Sequence, residues 1–306
     1  MSRAVVFEKF GGPEELELRE VPEPHAGAGQ VRVRVAAAGL NPMDWGLLSR
    51  PGAAAMFGLA LPSGFGYDFA GVVDEIGDGV TKYAVGDRVH GGALGRAVAD
   101  FVVLGENPGA AEALWRTPDG VDDETAAVLP VAGMTAAAVL SAVDLAAGDT
   151  VLVGAAAGGV GVFAVQLAKL AGARVLGTAS PGTFEFLREL GAEPVEYGPG
   201  LADRVRAQGI TAAIDLFGAE TAEAAVAVGV PPKRIASIVA GTKLPDGVRS
   251  TGGADAPEGS MKRIHDALVA GDLVVPIAAT FPVEQIRDAV SVLAGRHVHG
   301  KVVVLL

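Results

Sequence analysis

TVLVGAAAGGVGVFAVQLAKLAGARVLGTAS, residues 150–180, is the stretch around which the rest of the chain is organised. An apolar run ends at a glycine-rich turn, a long apolar segment follows, and a second apolar run begins at Arg174. This order and length predict a strand, a helix and a second strand that form one βαβ crossover.

The turn inside this stretch carries Ala156, Gly158 and Gly161 at the spacing of the dinucleotide fingerprint, with alanine in the first glycine's place. Small residues there allow a tight turn, a close approach of backbone to pyrophosphate, and close packing of helix on strand. The first N–H groups of the helix then face an anion. We therefore predict that the turn, with Gly159 and Val160, binds a dinucleotide; the alternative is a tight turn with a structural role only.

Composition limits the partners of the chain. Its 306 residues are half hydrophobic, enough for two domains with a sizeable core. The formal net charge is −12 with no basic cluster, which disfavours nucleic acid and anionic membranes as partners. The absence of cysteine excludes disulfides, thiolate zinc sites and a cysteine nucleophile.

Two uncharged stretches, 126–143 and 151–168, are long enough to imitate membrane spans. Both are rich in alanine and glycine and the first contains Pro130, so we interpret them as buried core segments. The uncharged run before Glu8 is too short for a signal peptide. These features predict a cytoplasmic protein.

The first 110 or so residues have the pattern of strands and turns. Val31, Val33 and Val35 alternate with Arg32 and Arg34, as expected when one face of an antiparallel strand is buried. Short apolar runs between Gly and Pro predict a small, irregular β-barrel-like domain, with strands at 4–7, 16–21, 71–76, 88–90 and 101–104. Residues 45–62 are either a functional loop or a short helix with flanking turns.

From Asp119 onward, apolar helices alternate with strands, which predicts a doubly wound parallel sheet with its ligand at the carboxyl ends of the strands. Asp122 or Asp123 is predicted to cap a helix, and Gly148 and Asp149 to end the next one. The remaining predictions are strands at 194–197, 212–217, 234–240, near 273–278 and 301–306, helices at 260–270 and 283–293, and a loop at 241–259.

Six motifs in order give the chain a resemblance to a known family: GLNPMD (39–44), GYDFAGVVDEIGDGV (66–80), VGDRVHG (85–91), LPVAGMTA (129–136), GAAAGGVGVFAVQLAK (154–169) and GRHVHGKVV (295–303). The chain resembles the zinc-free quinone oxidoreductases (zeta-crystallin-like) of the medium-chain dehydrogenase/reductase superfamily. The resemblance implies a GroES-like catalytic and substrate domain, residues 1–118 and 271–306, and a Rossmann NADP(H)-binding domain, residues 119–270. It also implies a homodimer formed through the Rossmann domain.

Zinc-dependent relatives of that family place a cysteine where this chain has Asn41 and a histidine where it has Tyr67. Neither asparagine nor tyrosine is a useful zinc ligand, and the cysteine-rich zinc lobe is also missing. The resemblance therefore predicts no metal, and it disfavours alcohol oxidation, which relies on a metal-stabilised alkoxide. Quinones and conjugated enones fit better as hydride acceptors.

The end of the second strand of the βαβ unit indicates which nicotinamide cofactor binds. An NAD enzyme carries Asp or Glu there, whereas this chain has Ala179 and Ser180. We therefore predict NADPH (NADP+), with Ser180 donating to the 2′-phosphate. The lysine that often follows this strand in the family is missing, since Thr183 and Phe184 stand about there.

The resemblance assigns further residues to the cofactor. Tyr197 matches a tyrosine beside the adenosine ribose, and Arg188 is either a nearby positive charge or an ordinary solvent-facing helix residue. The other predicted cofactor-binding residues are Thr135, Thr178, Phe217, Gly241, Gly300 and Lys301.

Asn41, Asp44 and Tyr67 are the predicted catalytic residues. Asn41 can orient a carbonyl through its NH₂ group, although Asn-Pro is also an ordinary turn sequence. Tyr67 either donates a proton or shapes the site as a half-buried aromatic. His297 and His299 alternate near the chain end, but two histidines without a third ligand make a poor metal site.

These features predict an NADPH-dependent, metal-independent reductase that delivers hydride to a small-molecule quinone or α,β-unsaturated carbonyl. Hydride transfer needs little from side chains, because the cofactor carries the chemistry. One alternative is an enoyl or alkenal reductase specialised for one enone. Another is a non-catalytic NADPH-binding sensor or structural protein.

Overall fold

The computed structural model describes residues 1–109, 111–295 and 298–306. The elements of the N-terminal part are β1 (Ser2–Phe7), β2 (Glu17–Val21), β3 (Gln30–Leu40), α1 (Pro42–Ser49), α2 (Pro51–Met56), β4 (Ser63–Gly64), β5 (Asp68–Ile76), β6 (Arg88–Ala93), β7 (Phe101–Gly105), β8 (Glu112–Arg116) and α3 (Asp123–Ala126). Those that follow are α4 (Leu129–Ala142), β9 (Thr150–Val153), α5 (Gly161–Leu170), β10 (Arg174–Ala179), α6 (Phe184–Glu189), β11 (Glu193–Glu196), α7 (Leu201–Val205), β12 (Ala212–Asp215), α8 (Glu220–Ala227), β13 (Ile235–Ser237), β14 (Arg249–Ser250), α9 (Ser260–Ala270), β15 (Ile277–Pro282), α10 (Ile286–Ala294) and β16 (Lys301–Leu305).

The chain divides into two compact units, Met1–Val131 with Ile277–Leu306, and Ala132–Pro276. Both boundaries lie further along the chain than the sequence placed them. The first boundary lies after α3 because this helix packs on β3 and β5 of the first unit. Asp122, one of the two caps considered, accepts the Thr125 N–H at 2.7 Å and starts this helix.

The main sheet of the first unit joins both ends of the chain. Its order is β15-β16-β3-β5-β6-β8, and β7 also pairs with β3; a smaller sheet has the order β2-β1-β4. Strand β16 runs antiparallel to β3, with Val302 opposite Leu40 and Leu305 opposite Ala37. This pairing puts the first residue of β16, Lys301, beside the end of β3.

The predicted alternation in β3 is present on its apolar face, where Val31, Val33 and Val35 are buried. Arg32 is buried too, contrary to a simple outward-facing pattern. Its guanidinium pairs with Asp74 and contacts the ring of Phe101 from 4.5 Å, which compensates for the charge that burial takes out of water.

The second unit is built on a parallel sheet with the order β11-β10-β9-β12-β13-β14. The chain moves outward in one direction from β9 to β11 and then in the other from β12 to β14. The sheet therefore has a topological switch point beside β9, where ligands of open α/β sheets bind. The predicted fold class, a GroES-like domain with a doubly wound Rossmann domain, is confirmed.

Two predicted elements are wrong for identifiable reasons. No strand runs through 273–276, because the backbone N–H and C=O of Val274 bond the side chain of Gln166 (3.0 and 2.8 Å) instead of a neighbouring strand. Helix α4 ends at Ala142, before Gly148 and Asp149, and Asp144 then adopts a left-handed conformation with φ of 48°.

The remaining segments agree with the prediction in part. Residues 45–62 contain the last part of α1 and the whole of α2, so the helical alternative holds there. Strand β8 was not anticipated from the sequence. The predicted loop 241–259 is irregular apart from β14 and one 3₁₀ turn, Gly253–Asp255. Across the part of the chain that the structure describes, no helix is both long enough and apolar enough to cross a membrane.

Candidate cofactor-binding and active site

The glycine-rich turn after β9 is held in place by one residue of the next strand. Thr178 accepts the N–H of Ala155 on its side-chain oxygen (3.1 Å) and the N–H of Ala156 on its carbonyl oxygen (3.2 Å). Ala155 has a left-handed φ of 51°, and the Gly158 N–H returns to its carbonyl at 3.0 Å. Thr178 therefore fixes the turn from behind, a role that sequence reasoning did not identify.

Two glycines of the turn have different physical roles. A Cβ at Gly161 would lie 2.4 Å from the Ala155 oxygen and 2.5 Å from the Ala156 oxygen, so only glycine fits there. A Cβ at Gly158 would meet only the Ala155 oxygen, at 3.3 Å. Gly158 thus leaves open space beside the backbone, which is what a closely approaching pyrophosphate requires.

Alanine replaces the first glycine of the fingerprint because the facing strand provides the space. A Cβ at Gly177 of β10 would lie 2.8 Å from the Ala156 Cβ. Glycine at 177 therefore accommodates the methyl group at 156. The turn therefore remains tight although its first position is not glycine.

The carboxyl ends of the neighbouring strands bring further predicted residues to the same edge of the sheet. Ala179 ends β10 and Ser180 follows it; Tyr197 follows β11 and Phe217 follows β12. The Ser180 and Thr183 hydroxyls are 3.0 Å apart. Tyr197 and Phe217 are 55% and 59% exposed, so this edge carries two hydroxyls and two uncovered aromatic rings.

Asp215 is a residue of this edge that the sequence analysis missed. Its Oδ1 accepts the N–H groups of Phe217 and Gly218, and its Oδ2 accepts those of Thr221 and Ala222. The carboxylate satisfies two donors just before α8 and two in its first turn, and it fixes the backbone of Phe217. The sequence signal that could have identified Asp215 is its position at the end of an apolar strand, three residues before Gly218 and shortly before a helix.

Other predicted cofactor residues are not placed at the strand ends. Arg188 lies on α6 and pairs with Glu185 at 2.9 Å on an exposed surface. Thr135 is buried within α4, and Gly241 follows β13 with φ of 77°. Gly300, with φ of 98°, and Lys301 belong to the first unit.

The first unit contains a buried polar cluster, which consists of Asn41, Asp44, Asp68 and Lys301. Asn41 Nδ2 donates to Asp68 at 2.8 Å, and Lys301 Nζ donates to Asn41 Oδ1. Asp44 accepts the backbone N–H of Asn41 at 2.8 Å and so caps α1, and Asp68 also accepts the Val131 N–H at 3.1 Å. Each of the four side chains is at most 3% exposed.

The cluster sets two carboxylates against one ammonium in a dry environment. Burial raises the pKa of Asp44 to about 7, against the lowering effects of Asn41 hydrogen bonds and Lys301. Burial also raises the pKa of Asp68, and it lowers the pKa of Lys301 although both carboxylates oppose that change. The cluster can therefore gain or lose a proton near neutral pH.

Tyr67 precedes the cluster at the start of β5. Its ring packs on Gly92, where a Cβ would lie 2.0 Å from Tyr67 Cε1. Burial, with Asp68 and Glu112, raises the pKa of its hydroxyl to about 12. At neutral pH this group stays protonated and offers a hydrogen bond, but it is a weaker proton donor than an ordinary tyrosine.

The raised pKa of Asp44 predicts that the free energy of unfolding falls as the pH rises from acid to neutral. Because its folded-state pKa is raised above the usual 3.8, the folded chain binds more protons than the unfolded chain in that interval. The free energy of unfolding is therefore expected to fall as pH rises from about 4 to about 7, by a few kcal/mol on the order of the pKa shift.

Asp44→Asn keeps an oxygen for the Asn41 N–H and removes the Asp44 titration, so it is expected to reduce this slope, while the raised pKa of Asp68 maintains the remainder. Urea unfolding across that pH range measures it, with Asp203→Asn on the exposed surface as control. The same slope in Asp44→Asn as in the native chain would contradict the expectation.

Of the residues in this cluster, Asn41 and Asp44 were predicted as catalytic and Lys301 as cofactor-binding. Sequence reasoning did not anticipate that these three come together, nor that Asp68 completes them. Among the described residues, no group of three His, Cys, Asp or Glu side chains is arranged to hold a metal ion. His297 lies outside the described residues.

A GroES-like unit joined to a Rossmann-type unit with a dinucleotide turn defines a two-domain dehydrogenase or reductase. Two family models match: "Alcohol dehydrogenase GroES-like domain" over residues 27–109 and "Zinc-binding dehydrogenase" over residues 190–304. A quinone oxidoreductase of Pseudomonas aeruginosa is 34% identical, with full coverage of both chains. The chain belongs to the quinone oxidoreductase family of the medium-chain dehydrogenase/reductase superfamily, as predicted, and is an oxidoreductase.

Two other similar proteins are relevant to the choice of cofactor. A chloroplastic NADPH-dependent alkenal/one oxidoreductase of Arabidopsis thaliana is 32% identical over 99% of this chain and 79% of its own length. A mycobacterial protein solved in complex with NADPH is 28% identical, with full coverage of both chains and a TM-score of 0.85.

Proposed function

We propose that this protein is an NADPH-dependent, metal-independent reductase that transfers hydride to a quinone or an α,β-unsaturated carbonyl. The observation that carries the proposal is the full-length similarity to a quinone oxidoreductase, together with a dinucleotide turn of the required geometry. The first unit would hold the acceptor and the second the cofactor. We also propose a cytoplasmic homodimer formed through the Rossmann-type unit.

Residues of the second unit fit NADPH. The turn at 156–161 would hold the pyrophosphate, the Ser180 and Thr183 hydroxyls would bond the 2′-phosphate, and the exposed rings of Tyr197 and Phe217 would lie beside the adenosine. No carboxylate occupies positions 179 and 180, so nothing there repels a 2′-phosphate. The bound cofactor supplies the hydride. The NADPH complex of the mycobacterial protein supports the choice.

Asn41 is the residue best arranged to assist the acceptor. Its side-chain nitrogen has two hydrogens, of which one is directed to Asp68. The other would bond the carbonyl oxygen on which negative charge develops during hydride transfer, an interaction of about 2 to 4 kcal/mol in comparable sites. Water or Tyr67 would deliver the proton, and Asp44 would hold the backbone of Asn41.

The acceptor itself is open between two classes, since one relative is named for quinones and the other for alkenals and enones. Helix α2 and the residues after it are apolar, and Met56 and Phe57 are 85% and 52% exposed. This surface suits a flat apolar acceptor of either class.

A combined binding and turnover measurement tests the proposal. Because a ligand that binds only the folded state stabilises it, NADPH at about 100 times its Kd is expected to add about 2.7 kcal/mol to the free energy of unfolding, and NADH less at the same concentration. NADPH oxidation is then followed with a panel of quinones and enones, before and after chelator dialysis.

Turnover with at least one acceptor, unchanged by the chelator, is expected. Stabilisation by NADPH without turnover on any acceptor would favour the sensor or structural alternative. Stoichiometric zinc in the purified protein, lost together with activity on dialysis, would contradict the metal-independent mechanism.

A further inference from the structure

Lys301 is held inside the polar cluster by the pairing of β16 with β3. Its Nζ donates to the Leu40 carbonyl at 3.2 Å and to the Asn41 side-chain oxygen, and its side chain is 3% exposed. Two of the three ammonium hydrogens therefore have acceptors on the two residues that join β3 to α1. The charged end of Lys301 is directed at Asn41.

The amide of Asn41 lies between groups of opposite charge. Its oxygen faces the Lys301 ammonium, and its nitrogen faces the Asp68 carboxylate. A flipped amide would set nitrogen against the ammonium and oxygen against the carboxylate, with both hydrogen bonds lost. Electrostatics therefore fixes one orientation of this side chain.

The same arrangement changes the amide as a donor. A cation at the oxygen of an amide draws electron density from its nitrogen, and the effect is larger in a low-dielectric interior than in water. The second N–H of Asn41 is consequently a stronger donor than it would be without the Lys301 ammonium. Lys301 supplies this polarisation, and Asp68 keeps the nitrogen in place.

We propose that Lys301 is a positioning residue that acts through Asn41: it orients and polarises the Asn41 amide as donor to the hydride acceptor, instead of contacting the cofactor. This inference rests on the proposed reduction of a quinone or enone. It predicts that loss of the lysine lowers the rate of the chemical step and leaves NADPH affinity nearly unchanged.

The composition of the chain allows a direct physical test, because Asn41 and Asn107 are its only asparagines. Lys82 donates to Asn107 on the exposed surface. These two residues are therefore a control lysine–asparagine pair outside the cluster. Selective ¹⁵N-asparagine labelling gives two side-chain amide groups. Lys301→Met is expected to move the Asn41 side-chain resonances and Lys82→Met only those of Asn107.

The kinetic arm separates positioning from cofactor binding. Lys301→Met is expected to lower kcat about tenfold or more, as the weakening of one donor to a developing oxyanion would, with the NADPH Kd within about twofold of the native value. In an Asn41→Ala background the same substitution is expected to change kcat little, because its effect passes through Asn41.

Each opposite outcome overturns the inference. Asn41 resonances that do not respond to Lys301→Met contradict the polarisation, whatever the native protein reduces. A large rise in NADPH Kd with kcat unchanged assigns Lys301 to the cofactor. A protein that turns over no acceptor defeats the proposed function, while the resonance measurement still tests the Lys301–Asn41 coupling.

A second variant guards against misfolding. Lys301→Met alone leaves two buried carboxylates without a cation, so Asp44→Asn/Lys301→Met removes one charge of each sign and keeps an oxygen for the Asn41 N–H. The resonance shift of Asn41 is expected in both variants, and the spectrum of Asp44→Asn alone identifies the third amide group, which that substitution adds. A shift in Asp44→Asn alone that equals that of the double variant would contradict a specific effect of the lysine.

Discussion

Gly161→Ala is expected to destabilise the second unit and to weaken NADPH binding at least about tenfold. The added methyl group would lie 2.4 and 2.5 Å from two carbonyl oxygens of the turn, and both belong to backbone that Thr178 holds in place. Relief requires the turn and the start of α5 to move apart. Overpacking of this kind costs about 1–3 kcal/mol of unfolding free energy.

Gly158→Ala is the matched control for this prediction. Its methyl group would meet one oxygen at 3.3 Å, so the free energy of unfolding is expected to change by less than about 1 kcal/mol. NADPH affinity is nevertheless expected to fall, because the methyl group occupies the space predicted for the pyrophosphate. Urea unfolding and titration with NADPH measure the two effects. Native-like stability in Gly161→Ala, or native-like NADPH affinity in Gly158→Ala, would contradict these roles.

Asp68→Ala is expected to lower the free energy of unfolding by about 3–5 kcal/mol. The side chain is fully buried, and its two oxygens accept from Asn41 Nδ2 and from the Val131 N–H. Without it, the buried Asn41 amide and the part-buried Val131 N–H lose their acceptor, and the Lys301 ammonium loses one of its counter-charges.

Asp68→Asn helps to separate the loss of charge from the loss of hydrogen bonds. The asparagine oxygen can accept only one of the two bonds in its natural geometry, since the other position holds an NH₂ group facing a donor. An intermediate loss is therefore expected. Denaturant unfolding at constant pH measures both variants, and a loss below about 1 kcal/mol in Asp68→Ala would show that water replaces the carboxylate.

The local pattern of the chain was sufficient to predict the nucleotide-binding unit. Ala156, Gly158 and Gly161 lie within about ten residues, and the steric need for glycine at 161 comes from carbonyl oxygens of the same turn. The pattern can therefore be recognised without tertiary information. The position of α9, predicted at 260–270, was also predictable from local periodicity. The strand predicted near 273–278 does not begin at 273, because the backbone N–H and C=O of Val274 bond a distant side chain, that of Gln166.

The candidate catalytic residues were predictable only singly. Asn41 and Asp44 belong to one short motif, and Tyr67 and Asp68 to another. Lys301 lies about 260 residues further along and was assigned to the cofactor. No periodicity relates a residue of β16 to the end of β3, because the register of two strands far apart in sequence depends on how the whole sheet assembles.

By itself the sequence determined the β-rich first part, the alternating helices and strands that follow it, and the turn prepared for a dinucleotide, because each depends on contacts between near neighbours along the chain. The GroES-like class and the return of the C-terminal segment to the first unit were predicted from the family resemblance alone. Only the tertiary structure decided that Lys301 faces Asn41, that Asp68 joins them, and that Thr178 and Gly177 shape the turn from the adjacent strand. Those relations come from strand pairing and from burial, which bring charges together at a cost that only a specific arrangement of partners offsets.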